Sequence, residues 1–349
     1  MYEDIEIETK ALSVPYLTIA NGSFGHNYSY SPDYQGDFPE TKNDVTRDFN
    51  GPRTIVTLLT TGASAGQMLA IKPPANVSSY TINFYGPTIR CTYADQGPMF
   101  PIEFIFEQQM SHMARGAKRN KTAYYAFVPS YDDQGNLTPL DTVRYQAPIN
   151  ATNEIWLTYY RYNLSEPGCN SYRHYSICRL FNATYDLDLH WDHSFQNITG
   201  TATPISMDPV PYPMDEFPAV SNMAQHAYSA FFWALADQVT GSFAWYKEVS
   251  LENTEKTRQF GMIQSPIQHN VLLGSSDLNL YFDLNEEPDT CRVGEDALDK
   301  QRLQDIKLAG GRILNELIEE MSFNMTVSLL HNDLLTLVFQ SFQVSVASG

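Results

Sequence analysis

Between Cys178 and Gly200 the chain reads CRLFNATYDLDLHWDHSFQNITG, a run that holds a His-Trp-Asp-His cluster, a cysteine and two Asn-x-Thr sites. Imidazoles and carboxylates of this kind ligate divalent metals or move protons. Spacing limits what they can do here. On a strand over Tyr185–His193, Tyr185, Leu187, Leu189 and Trp191 take one face. Asp186, Asp188, His190 and Asp192 take the other, and His193 points away from His190. Like-facing neighbours stand roughly 6.5–7 Å apart, whereas metal donors converge to within about 2–2.6 Å of one ion. Two such neighbours can share an ion; four cannot. The run is therefore read as a solvated strand face leading into a glycan-acceptor loop at Asn197, with no metal and no cofactor expected.

Other chemistry-bearing groupings are weaker. Gly62-Ala63-Ser64-Ala65-Gly66 matches the Gly-x-Ser-x-Gly nucleophile elbow, but such a serine must open a helix, and Pro73-Pro74 leaves about two turns for one. A Gly-Ser turn is expected instead. Glu103 and Glu107 stand one helical turn apart without an identifiable partner helix, so both are read as exposed. Glu286-Glu287 and Glu319-Glu320 are adjacent pairs that split across faces and read as solvation. None of the eight histidines is followed by Glu, so the His-Glu-x-x-His zinc motif is missing and no catalytic residue is assigned.

Composition bears on the compartment. The 349 residues include 22 Lys+Arg and 40 Asp+Glu, a formal charge of -18 that repels nucleic-acid backbones and anionic lipid heads. No nucleic-acid partner is expected. Asn-x-Ser/Thr sequons occur at Asn21, Asn27, Asn76, Asn120, Asn136, Asn150, Asn163, Asn182, Asn197 and Asn324, ten among 22 asparagines. Chance would give about three, so the excess points to the secretory route, with Asn136 weakened by Pro139. Cys91, Cys169, Cys178 and Cys291 are even in number and fit no metal-finger spacing, as in a disulfide-bonded exported protein. Four cysteines allow three pairings. The short loop CNSYRHYSIC favours Cys169–Cys178, which leaves Cys91 with Cys291.

These residues need elements to hold them. Residues 1–50 read as extended or poorly ordered. A β-rich body over 51–203 carries strands at Arg53–Thr60, Tyr80–Tyr85, Thr88–Tyr93, Ala123–Val128, Glu154–Arg161 and Ser176–His190. Pro101–His112 could form an inserted helix. A Pro-rich seam follows at 204–220, where five prolines exclude a continuing helix or central strand. Over 221–335 the pattern predicts a helix at Ser221–Val239 and a longer one at Asp296–Phe323, striped by Leu303, Ile306, Ile313, Leu314, Leu317, Ile318 and Met321. The class is α+β: an antiparallel β-rich, sandwich-like body with C-terminal helices. The acidic N-terminus MYEDIEIETKALSVPY is no signal peptide and no stretch reaches about eighteen apolar residues. For an exported chain, this leads to the expectation of a span encoded beyond the sequence, with 336–349 leading toward it.

Three segments, GASAGQMLAIKPPANVSSYTINFYGPTIRC, CRLFNATYDLDL and ELIEEMSFNMTVSLL, resemble in order a family of fungal multi-pass membrane proteins. Members are often labelled formylmethionine deformylase-like. The resemblance runs patchily from Gly62 to Leu335. It implies a large extracytoplasmic domain between transmembrane helices, here without those helices, and an unassigned cell-wall or protein ligand. Three function classes follow. The first is a non-catalytic ectodomain in surface sensing or wall contact. The second is a secreted carbohydrate-active hydrolase with two carboxylates about 5–10 Å apart, and the third a cytosolic scaffold.

Overall fold

The computed structural model describes residues 61–94 except 74, 120–140, 151–162, 171–212 except 194, 223–247, 258–263, 266–278 and 300–331, with 46–48, 146–148, 102, 105 and 106. In chain order the strands are β1 Thr46–Asp48, β2 Val77–Tyr93, β3 Asn120–Tyr131, β4 Leu137–Leu140, β5 Gln146–Pro148, β6 Glu154–Tyr162, β7 Ser171–Asp192, β8 Phe195–Pro204, β9 Gly241–Lys247 and β10 Arg258–Ile263. The helices are α1 Met223–Val239, α2 Lys300–Ala309 and α3 Leu314–Ser328. Eight strands form one antiparallel sheet in the order β10-β9-β3-β6-β7-β2, with β4 on β3 and β8 on β7. The α+β class, β-rich with helices mostly toward the C-terminus, is the one expected. Within residues 1–50 the described part is β1, which pairs with β5 in a two-stranded ribbon.

β7 organises the sheet. Its 22 residues pair with β2 along one edge and, along the other, with β6 from Ser171 to Arg179 and β8 from Ala183 to Asp192. The two strands expected at Tyr80–Tyr85 and Thr88–Tyr93 are a single strand, β2. Pro87 does not break it, because this residue's backbone nitrogen faces the outer edge, where no ladder N–H is needed. Its carbonyl accepts hydrogen bonds from Tyr185 Oη and Thr326 Oγ1, both at 2.7 Å.

That outer edge is closed by α3. Ser322 Oγ accepts the Ile89 N–H at 2.9 Å, and Glu319 accepts the Cys91 N–H and pairs with Arg90, each at 2.8 Å. An open edge strand is a template for unwanted pairing, and here side chains spaced three and four apart on one helix face satisfy it. The helix straddles the edge. Leu317, Ile318, Met321 and Met325 join the core that holds α1, while Phe323 and Val327 meet Phe84, Tyr185 and Leu187 on the other side. α1 is buried through its middle turns, Phe231–Ala236, with Phe232, Trp233 and Leu235 inaccessible. A third cluster of Phe106, Tyr125, Phe127, Tyr175 and Ile177 covers the opposite face of the sheet.

The helix expected at Asp296–Phe323 is two helices. Gly310 and Gly311 adopt left-handed φ of 59° and 77° after α2, a conformation that ends helices and that glycine takes without penalty. Leu303, expected on the buried stripe, is 47 % exposed on α2. α2 docks instead through Gly274, where an added Cβ would sit 2.2 Å from the Asp305 carbonyl oxygen.

Candidate functional site

The strand holding the His-Trp-Asp-His run is β7, and its faces fall as the alternation required: Tyr185, Leu187, Leu189 and Trp191 are buried, while Asp186, Asp188, His190 and Asp192 are exposed. Cross-strand partners occupy the carboxylates. Thr81 Oγ1 donates to Asp188 at 2.9 Å, and Asn83 Nδ2 donates to Asp186. His193 closes the turn into β8 with φ 57°, its imidazole 2.7 Å from the Asp192 carboxylate. Among the described residues no three His, Cys, Asp or Glu side chains are grouped to hold a metal ion. The face is continuous over three strands, with polar rows such as Ser79-His190-Asn197 and Thr81-Asp188-Thr199.

The Gly-x-Ser-x-Gly segment forms one helical turn over 61–64 and then a left-handed turn at Gly66 (φ 67°). Ser64 is 7 % exposed, and its hydroxyl donates to the Thr61 carbonyl of its own turn. A nucleophile elbow's serine opens a helix, whereas here the single turn ends at Ser64 and no helix follows over 65–73. Glu319 and Glu320, read from sequence as solvation, are both engaged: Glu319 at the β2 edge and Glu320 with Arg312. Glu103, Glu107, Glu286 and Glu287 lie outside the described side chains.

Cys91 bonds Cys178, not Cys291, and Cys178 does not bond Cys169. The two stand directly opposite in the β2–β7 register, so strand pairing places their side chains together, which loop length could not reveal. Cys169 and Cys291 lie outside the described residues. Of the sequon asparagines, Asn76, Asn136, Asn182 and Asn197 are exposed. Asn324 is only 3 % exposed within α3, so this reading is corrected: a folded core has no room for a glycan there. Asn120 opens β3, its side chain not among those described. Asn21, Asn27, Asn150 and Asn163 lie outside the described residues.

A second polar grouping had no signal in the sequence, because it comes from five separate stretches. Asp277, 1 % exposed, accepts the Leu314 N–H of α3 at 2.9 Å through Oδ2, and its Oδ1 lies 3.2 Å from Arg161 Nε. The Tyr159 hydroxyl lies against Asp277 and Tyr93 without completing a hydrogen bond of good geometry to either. The His174 ring packs against Tyr93 and Tyr159 at 5.9 and 6.0 Å between centroids. Asn315 donates to Ser176 Oγ at 3.2 Å. Burial raises the Asp277 carboxyl above its usual range, opposed by the Leu314 N–H, Arg161, His174 and Tyr159. Burial likewise drives the Tyr159 hydroxyl far up, reinforced by the neighbouring carboxylate. The carboxylate is committed to the first turn of α3, where the helix dipole favours an anion. Anchoring is what this geometry accomplishes.

No family model, curated protein or solved structure matches this chain. No described helix is long and apolar enough to cross a membrane.

Proposed function

We propose that the chain is a non-catalytic extracytoplasmic glycoprotein domain of a membrane protein, serving surface sensing or wall contact. The Cys91–Cys178 bridge carries this reading, since such bonds persist in oxidising compartments and are rare where thiols are kept reduced. The exposure of Asn76, Asn182 and Asn197 supports it. Association with a membrane and a fungal source follow from the resemblance alone. The test is the protein purified unreduced from cells that make it natively, digested and mapped for cross-links and sugars. The expected result is a Cys91–Cys178 peptide and glycans at Asn76, Asn182 or Asn197, with none at Asn324. Freely alkylated Cys91 and Cys178 together with ten bare sequons would refute the proposal in favour of the cytosolic scaffold.

A further inference from the structure

β8 begins Phe195-Gln196-Asn197-Ile198-Thr199, and the strand sorts these five residues by face. Gln196 turns inward, accepting the Ile71 N–H at 2.6 Å and donating to the Leu69 carbonyl at 3.2 Å. Ile198 packs against the cluster of Leu187, Leu189 and Trp191. Both inward contacts fix the orientation of the strand, so Phe195, Asn197 and Thr199 must point outward together, and all three are exposed. They stand opposite Asp192, His190 and Asp188 of β7, on the same exposed face. Phe195 presents a phenyl ring 66 % exposed, when burying such a ring is worth about 1.5–3 kcal/mol.

We propose that Phe195, Asn197 and Thr199 form a seat for the chain's own N-linked sugar. The first N-acetylglucosamine, attached through Asn197 Nδ2, would lay the C–H face of its pyranose ring on Phe195, with the Thr199 methyl on its far side. Same-face neighbours on a strand are roughly 6.5–7 Å apart, a separation that a sugar ring leaning back from Asn197 spans. Aromatic rings are suited to this because they offer large, rigid apolar area. Asn136 and Asn182 lack the arrangement. Asn136 Nδ2 is tied to Asp132 at 2.9 Å, and Asn182 Oδ1 accepts from Tyr228 Oη at 2.9 Å. The residue two before Asn182 is the fully buried Leu180.

The inference rests on the glycoprotein reading, and its test separates the two. The full chain is directed through a eukaryotic secretory route behind a cleavable leader, and site occupancy is read by glycopeptide mass spectrometry. Melting is then compared for the parent, Phe195→Ala, Asn197→Gln and the double variant. Phe195→Ala should lower Tm by about 1–3 °C when the sugar is present and leave it unchanged in the Asn197→Gln background. Trimming the glycan to one N-acetylglucosamine should preserve that coupling, and complete removal should abolish it, which covers the case in which Asn197→Gln itself folds poorly. Equal effects of Phe195→Ala in both backgrounds would overturn the seat, as would a bare Asn197 beside an occupied Asn76 or Asn182. A Phe195-dependent dimer in sedimentation would overturn it in favour of self-association. Ten bare sequons would remove the glycoprotein reading and the seat together.

Discussion

Asp277 places a carboxylate at 1 % exposure against the first turn of α3, beside Arg161. Because burial outweighs its partners and raises the carboxyl in the folded protein, the folded state holds the proton more tightly than the unfolded chain does. The sign follows: this group favours folding most when it is protonated, and that contribution is lost as pH rises through the raised range. Asp277→Asn keeps an acceptor for the Leu314 N–H and removes the titration. Urea midpoints measured from pH 4 to 8 should therefore move in favour of the variant, relative to the parent, as pH rises. A relative shift the other way would mean that Arg161 and the helix terminus dominate the desolvation. Asp277→Ala, which also removes the acceptor, should cost about 1–2 kcal/mol at neutral pH.

At the scale of elements, the side chains of α3 do for β2 what another strand would otherwise do. Ser322 is fully buried and its hydroxyl accepts the Ile89 N–H. Ser322→Ala should leave that amide without a partner, costing about 1–3 kcal/mol. Hydrogen exchange of peptides covering Val77–Tyr93 checks this: protection should fall at Ile89 and Cys91 before it falls in the opposing β7. Unchanged protection at those amides would show that apolar packing alone closes the edge. Some of this scale was legible from sequence. Alternating apolar residues put Tyr185–Trp191 on the correct face, and the pattern of α1 with its stop at Gly241 marked that helix, because period and punctuation are local. The Gly310-Gly311 break was written in the chain too, and was missed because the apolar stripe runs on across it. The edge contacts were not legible, since Glu319 and Ser322 meet β2 only through a fold that brings residues more than 220 apart together.

For the molecule as a whole, the Cys91–Cys178 bridge joins residues 87 apart and ties two neighbouring strands of the long sheet. In the chain-entropy account a closed loop of this length restricts the unfolded ensemble by about 4–5 kcal/mol. The Cys91→Ala, Cys178→Ala double variant should therefore lose stability of that order, read as a lowered urea midpoint with a steeper slope, because the unbridged denatured chain exposes more surface. A loss below about 1 kcal/mol would mean that β2–β7 pairing persists in the denatured state. The pairing was beyond the sequence because loop length ranks only local closures, whereas register decides which cysteines actually face each other. The same limit applies to the Asp277 grouping, whose members come from β2, β6, β7, the 277 turn and α3. Phe195 and Asn197 are the contrary case: their spacing was on view, and only the exposure of the ring in the fold gave it meaning.

The closure of β2 by α3 also sets a clock on biosynthesis. Ile89 waits for Ser322, which follows it by 233 residues, and ribosomes add about 5–20 residues per second. For roughly 12–47 s, then, each nascent chain carries the Ile89 N–H of a long edge strand without the serine that accepts it in the folded protein. During that interval the strand depends on whatever binds nascent chains, and any pause in translation between the two elements prolongs the exposure.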